Sequence, residues 1–192
     1  MKFTISLITA ALVSIVHASA VSLPQVDAAD SAEVRLGYAW QAKACGDPRT
    51  AVPLYRAWNG QSADHFYTTN ADEVQNAVTR LGYTAEGITG YVFSKKQPAT
   101  VPLYRLWQGS VSDHFYTTSA PERDNAISRL GYVSEGVVGW VYPNTKCGLL
   151  ALYRSYNGPG TDHFYTMSAA EKDNAVNGGW TYEGVAGYIF PY

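Results

Sequence analysis

Apolar and polar residues recur in the same order three times along the chain. Short runs rich in apolar and aromatic residues, such as residues 101–107, predict β-strands. A stretch with helical spacing follows, opened by the capping-box pair Ser119 and Glu122 and ended by Gly131. The same capping signature opens the helix of the other two copies, as Asn70 with Glu73 and Ser168 with Glu171. Residues 132–142 then predict two further short strands around a glycine turn. Each copy therefore predicts four strands, with one helix between the second and the third.

The period of this pattern is 49 residues, measured between His65, His114 and His163. Repeats of this length pack against one another, because one copy alone cannot bury its apolar face. We therefore expect a mainly β fold with short helices, in which three repeats surround a pseudo-threefold axis. A β-trefoil-like barrel is the first expectation, and a three-bladed propeller-like ring is the alternative. The repeats are expected at 51–99, 100–146 and 149–192, within a single domain of residues 51–192.

The N-terminal segment has the features of a secretory signal peptide. Lys2 precedes a short apolar run, and residues 18–20 offer small side chains at a cleavage site. We expect residues 1–20 to be the signal peptide, residues 21–50 to be an N-terminal lead-in, and the protein to be secreted and extracellular. No later segment of the sequence is long and apolar enough to span a bilayer.

The two cysteines are expected to form a disulfide, as is usual in a secreted protein. Cys45 lies just before the first repeat, and Cys147 lies just before the third. If the repeats close into a ring, the first and third are neighbours, and the bond locks that closure.

The repeated string resembles a known repeat family of unknown function. Its signature reads PLYR at 102–105, DHFYTT at 113–118, LGY at 130–132 and EG at 135–136. That family occurs in secreted fungal and bacterial proteins and is sometimes appended to extracellular hydrolases. The resemblance covers residues 52–190 and implies no established activity. The company of wall-degrading enzymes implies polysaccharide binding only by analogy.

Each repeat carries an Asp next to a His. Adjacent strand residues point to opposite faces, so the two do not form a ready-made proton relay. The first interpretation is structural: each Asp closes the turn before its strand, and each His bonds within its own repeat. One alternative is contact with a ligand, and another is a metal held by three imidazoles on the axis. We expect no catalytic residue, no metal and no cofactor. The pairs are Asp64-His65, Asp113-His114 and Asp162-His163.

A repeated arginine is predicted to be partly buried, because it shares a strand face with a leucine and an aromatic residue. A buried guanidinium needs an acid, and we expect an ion pair inside each repeat. The arginines are Arg56, Arg105 and Arg154, and the candidate acids are Asp64, Asp113 and Asp162 or Glu86, Glu135 and Glu183.

An aromatic residue precedes an amide and a glycine turn in each repeat. A ring face packs against the apolar face of a sugar, while amide, carboxylate and imidazole groups bond its hydroxyls. The predicted ligand-binding residues are Trp58, Asn59, Asp64, His65, Trp107, Gln108, Asp113, His114, Tyr156, Asn157, Asp162 and His163.

These residues predict a non-catalytic, lectin-like protein with up to three equivalent weak carbohydrate sites, which gain from multivalency. The alternatives are a secreted glycoside hydrolase that uses two carboxylates, and a cell-wall or surface interaction protein without a small ligand. The expected partner is a polysaccharide or glycan. The formal net charge of −2 at pH 7 argues against nucleic acid, which requires a basic face.

Overall fold

Each repeat folds into a three-stranded antiparallel sheet with one helix between its second and third strands. The computed structural model describes residues 45–191, so the predicted signal peptide and residues 21–44 of the predicted lead-in lie outside the described residues. A 3-10 helix, Pro48–Thr50, precedes the first repeat. The elements are β1 Ala51–Asn59, β2 Asp64–Thr68, α1 Ala71–Arg80, β3 Thr84–Phe93, β4 Val101–Gln108, β5 Asp113–Thr117, α2 Ala120–Arg129, β6 Val133–Val141, β7 Leu150–Asn157, β8 Asp162–Thr166, α3 Ala169–Asn177 and β9 Thr181–Ile189.

The two short strands predicted after each helix are in fact one continuous strand. In the first repeat β3 pairs with β1 from Thr84 to Phe93, with a shift of register on either side of Gly87. Gly87 has φ +98°, a conformation that side chains with a Cβ rarely adopt. The glycine predicted to turn the chain therefore forms a bulge that keeps the strand paired.

The predicted helix starts are confirmed. The side chains of Asn70, Ser119 and Ser168 accept backbone N–H groups from the first turn of α1, α2 and α3. The capping-box glutamate of α2, Glu122, does not return to the cap. Its carboxylate instead accepts bonds from Thr117 and from Arg154 in the next repeat.

The repeats meet around a pseudo-threefold axis at one tyrosine from each second strand. Tyr67, Tyr116 and Tyr165 are each 1% exposed, and their rings pack edge to face with centroids 5.4 Å apart. Each hydroxyl donates to the backbone carbonyl of a neighbouring tyrosine and accepts that residue's N–H, over 2.7–2.8 Å. Burial raises the pKa of all three phenols well above the usual value, so they remain donors.

A second core cluster forms near the ends of the third strands, from Phe93, Tyr142, Leu149 and Phe190. The predicted disulfide is confirmed: Cys45 bonds Cys147 with their Cα atoms 5.9 Å apart. Both cysteines pack against this cluster. The bond therefore ties the chain before the first repeat to the chain before the third.

The prediction of a mainly β fold with short helices is confirmed. The first two repeats share a six-stranded sheet through the pair Phe93–Trp140, and the third repeat has its own three-stranded sheet. Isolated bridges, Tyr91–Phe190 and Tyr142–Tyr188, connect the third repeat to the other two. This closed arrangement is consistent with either a β-trefoil-like or a propeller-like description. Within residues 45–191, no helix is long and apolar enough to cross a bilayer.

Candidate functional site: the clefts between repeats

One arginine joins two glutamates at each boundary between repeats. Arg105 bonds both carboxylate oxygens of Glu73, from helix α1 of the preceding repeat, over 3.0 and 2.8 Å. Its Nε lies 2.9 Å from Oε2 of Glu135, on strand β6, as an ion pair whose angle is outside the range of a hydrogen bond. The same groups at the other boundaries are Arg154 with Glu122 and Glu183, and Arg56 with Glu171 and Glu86.

The ion pair expected inside each repeat is present, but it is one of two ion pairs that each arginine makes. Glu86, Glu135 and Glu183 are the partners within the repeat, as predicted, whereas the aspartates do not pair with the arginines. The second partner comes from the helix of the neighbouring repeat. This partner is not evident from the sequence, because the capping box gives those glutamates a local role.

Each histidine bonds an aspartate of another repeat, which corrects the expectation that it bonds within its own. The carboxylate of Asp64 accepts the backbone N–H of His114 over 2.8 Å and lies 2.7 Å from its Nδ1. The hydroxyl of Tyr83 also donates to this carboxylate. The other pairs across repeats are His163 with Asp113 and His65 with Asp162.

The aspartates, and not the histidines, converge at the axis. Within residues 45–191, Asp64, Asp113 and Asp162 each contribute one carboxylate oxygen to a group of three that lie within 4.8 Å of one another. Each is unexposed to solvent. Their carboxylates therefore lie behind the histidines, where they fix the position of each imidazole and stay out of reach of a surface ligand.

The predicted aromatic residues pack against these histidines, with their ring planes tilted by 35–39°. The ring centroids of Trp107 and His114 are 4.4 Å apart, and His114 also lies 5.0 Å from Phe66 of the preceding repeat. Trp58 and Tyr156 make the corresponding contacts at 4.3 and 4.7 Å. All three aromatic residues are half-buried, so each boundary has a partly exposed ring supported by an imidazole.

The predicted amides are used by the protein itself. Asn59 donates to the carbonyl of Leu81 over 3.0 Å and accepts the N–H of Gln61. Gln108 and Asn157 close the equivalent turns. Contact of these amides with a ligand stays a prediction, and the structure gives them a role in holding the turn.

Two cavities of similar lining open between repeats. We call them the first cleft, between repeats 1 and 2, of about 200 Å³, and the second cleft, between repeats 2 and 3, of about 180 Å³. Both are smaller than the roughly 300–1,000 Å³ of pockets for drug-sized ligands. The first cleft is bordered by the Arg105 group together with Phe66, Asn76, Tyr83 and His114.

A family model for a domain of unknown function, DUF5648, matches residues 27–137 and 53–190. The chain belongs to this family. The two overlapping matches agree with a repeated architecture in this DUF5648 protein. No curated protein and no solved structure matches the chain.

The boundary between repeats 3 and 1 differs from the other two. Trp180 stands where the other repeats have Tyr83 and Tyr132, so Asp162 receives no bond from an equivalent hydroxyl. Burial raises the pKa of Asp162, although bonds from His65 oppose this shift. A cavity of about 250 Å³ opens here on the side of Met167 and Ser168, and an equivalent cavity of about 190 Å³ lies at the first boundary beside Thr69 and Asn70, so this cavity does not distinguish the boundary.

One further residue of the clefts, an asparagine, is absent from the ligand-binding residues predicted from the sequence. Asn76 and Asn125 border the first and second cleft, and Asn174 is their equivalent in the third repeat. All three are exposed, and none of their side chains makes a hydrogen bond within residues 45–191. Their regular spacing of 49 residues on a helix face is visible in the sequence and could have identified them.

Proposed function

We propose that this protein is a lectin-like carbohydrate-binding protein whose binding sites are the clefts between repeats. The observation that carries the proposal is the asparagine that borders each cleft. Asn76 and Asn125 present free amides beside aromatic rings and a charged group. An amide has two donors and an acceptor, which suit the hydroxyls of a sugar.

The other groups of the cleft fit the same ligand class. In the first cleft, the half-buried ring of Tyr83 offers an apolar surface, and the carboxylates of Glu73 and Glu135 accept hydroxyl donors. A cavity of about 200 Å³ suits one sugar ring rather than a long oligosaccharide. Each site alone is therefore weak, and retention on a polymer depends on several sites on one rigid body.

The aromatic residues predicted from the sequence belong to this site through the histidines. Trp107 packs against His114, which borders the first cleft. We propose that Trp58, Trp107 and Tyr156 extend the binding surface next to each cleft, and that the histidines contact the ligand. Asp64, Asp113 and Asp162 contribute by holding those histidines in place.

The test compares two sets of variants for retention on a panel of insoluble polysaccharides and on a glycan array. Changing Asn76, Asn125 and Asn174 together to alanine removes the three amides from exposed helix positions, where alanine is well tolerated. We expect retention to fall strongly with an unchanged melting temperature. Gln75→Ala is the matched control, because Gln75 is an exposed amide on the same helix that does not border the cleft.

Trp107→Ala is a second, independent variant. We expect it to weaken retention while the protein stays folded, and we expect the triple change at Trp58, Trp107 and Tyr156 to abolish retention. Unfolding of Trp107→Ala would assign this ring to the core. Failure of the wild-type protein to bind any glycan would overturn the proposal and favour an interaction protein without a small ligand.

A glycoside hydrolase is supported less well by the same groups. Hydrolysis needs a carboxylic acid that holds its proton near neutral pH. Burial alone would raise the pKa of Glu73, but hydrogen bonds from Arg105 and Thr68 outweigh it and lower that pKa. An activity screen on the polysaccharides used for binding separates the two functions.

Secretion is part of the proposal. The disulfide between Cys45 and Cys147 is typical of oxidising compartments, and it agrees with the signal peptide predicted for residues 1–20. A mass spectrum of the protein from culture medium, with a mature N-terminus near Val21, tests this prediction.

A further inference from the structure

The charges of each cleft are unequally exposed to solvent. The side chain of Arg105 is 13% exposed, whereas those of Glu73 and Glu135 are 36% and 31% exposed. The other two boundaries repeat these proportions. The guanidinium thus lies behind the two carboxylates, and a ligand that enters the cleft meets the carboxylates first.

The charged side chains at each boundary also sum to a negative formal charge. One arginine faces two glutamates at each boundary, and the aspartate behind the histidine adds a further acid. In the first cleft, Arg105 Nε and His114 Nε2 approach the same oxygen, Oε2 of Glu135, at 2.9 and 3.6 Å. Within the described residues, no hydrogen bond reaches the other oxygen, Oε1, which remains an acceptor for a ligand.

The aromatic ring beside the carboxylates also favours a positively charged ligand. Phe66 and Tyr83 border the first cleft together with Glu135, and the face of an aromatic ring attracts cations. The face of Phe66 is already occupied by Arg105, whose guanidinium carbon lies 5.2 Å from the ring centroid, so the half-buried Tyr83 is the ring of this pair that a ligand cation can approach. An anionic sugar, by contrast, would meet two carboxylates before it reached the arginine.

We infer that the clefts select saccharides that carry free amino groups over acetylated or acidic ones. This inference rests on the proposed carbohydrate binding and names its ligand class. A protonated amine donates to Glu135 and pairs with the net negative charge of the cleft. A uronate is repelled by the same carboxylates, and an N-acetylated sugar has no charge to pair.

The experiment measures retention on three polymers matched in linkage: a β-linked glucosamine polymer with free amines, its N-acetylated form, and a β-linked uronate polymer. We expect the strongest retention on the first and the weakest on the third. Binding to the first should weaken as ionic strength rises, because exposed charges are screened. Retention on none of the three would overturn the inference, and only the additional absence of binding on the wider polysaccharide panel would overturn carbohydrate binding itself. Equal or stronger retention on the acetylated or acidic polymer likewise overturns only the inference.

The variant Glu135→Gln tests the role of the carboxylate, since it removes one charge and keeps the shape of the side chain. We expect a roughly two- to fivefold loss of affinity for the amino polymer, the size typical of an exposed ion pair, with little change for the acetylated polymer. Asp124→Asn is the matched control, because Asp124 is an exposed acid outside the clefts.

Three further results would contradict the inference. An equal loss in Asp124→Asn would mean that the overall charge of the protein sets the preference. Equally strong binding of Glu135→Gln and wild type to the amino polymer would remove this carboxylate from the site. Polylysine of similar length is the last comparison, and retention on it as strong as on the amino polymer would overturn the assignment to a sugar amine.

Discussion

Asp113 bonds groups from two repeats through a single buried carboxylate. It accepts the backbone N–H of His163 over 3.0 Å, lies 2.7 Å from the Nδ1 of that residue, and receives the hydroxyl of Tyr132. A buried carboxylate is costly unless such donors surround it. The third repeat has Trp180 at the position of the tyrosine, which makes the hydroxyl of Tyr132 a natural target for a test.

We predict that Tyr132→Phe destabilises the fold by about 1–3 kcal/mol, the usual cost of removing one partner from a buried polar group. Urea denaturation measures the free energy of unfolding. Tyr153→Phe is the control, because it removes a hydroxyl outside the aspartate network, and it should cost much less. Equal stability of Tyr132→Phe and wild type would mean that the remaining donors satisfy Asp113 without the phenol.

At this scale the sequence identifies the important residue types but not their partners. Asp113, His114 and Arg105 are visible because they recur with a fixed period. Their bonds cross the boundaries between repeats, and a linear sequence does not say which side chain lies across a boundary. The tyrosines at the axis were missed for the same reason, because their partners are backbone groups of other repeats.

The helices and strands show where local patterns are sufficient and where they are not. Capping residues predicted the start of each helix correctly, since Asn70 and Ser119 act on their own first turn. The glycine at position 87 was assigned to a turn, whereas pairing with β1 keeps it inside strand β3 as a bulge. Tertiary pairing decides between the two, because glycine permits both.

Helix α1 is joined to the next repeat by Arg105, and this link gives the second prediction. Arg105→Ala leaves Glu73 and Glu135 without their shared cation, and we expect a loss of about 2–4 kcal/mol, somewhat below that of a fully buried pair. Chemical denaturation measures it. Arg123→Ala is the control: Arg123 pairs with the exposed Asp124, and such surface pairs contribute about 0–1 kcal/mol.

An equal, small effect of both arginine variants would show that the boundary between repeats does not depend on the ion pair. A large loss confined to Arg105→Ala would establish the guanidinium as a structural link. It would also explain why the pKa of the Glu73 carboxyl is lowered although the group is partly buried.

The whole molecule depends on closure of three repeats, since each repeat places its aspartate and its helical glutamate against a neighbour. The periodicity of the sequence predicted this threefold body, and the two cysteines predicted the bond that closes it. The exact strand count and the geometry of the boundaries required the structure, because they depend on long-range pairing.

The disulfide gives the third prediction. Cys45 and Cys147 are separated by 102 residues, and the entropy of the unfolded chain assigns a loop of that length about 4–5 kcal/mol of stabilisation. The double variant with serine at both positions should lose most of this free energy of unfolding. Reduction of the wild-type protein should give a similar loss, and no change in either case would mean that the repeats remain closed without the bond.

Acid should weaken the molecule through the boundaries between repeats. The pKa values of Glu73, Glu122 and Glu171 are lowered below the usual 4.5, because bonds from arginine and threonine outweigh burial. A carboxylate with a lowered pKa in the folded state adds stability above its unfolded pKa, and this stability is lost as pH falls through the folded value. Asp162 acts in the opposite sense, since burial raises its pKa and protonation removes the cost of a buried charge.

Because three boundary glutamates oppose one aspartate, the free energy of unfolding should stay nearly constant above about pH 5 and fall below it. Urea titrations from pH 3 to pH 7 measure this dependence. In the variant with glutamine at all three glutamate positions, stability should be lower at pH 7 and change less with pH. An unchanged pH dependence in that variant would place the acid sensitivity in other carboxylates.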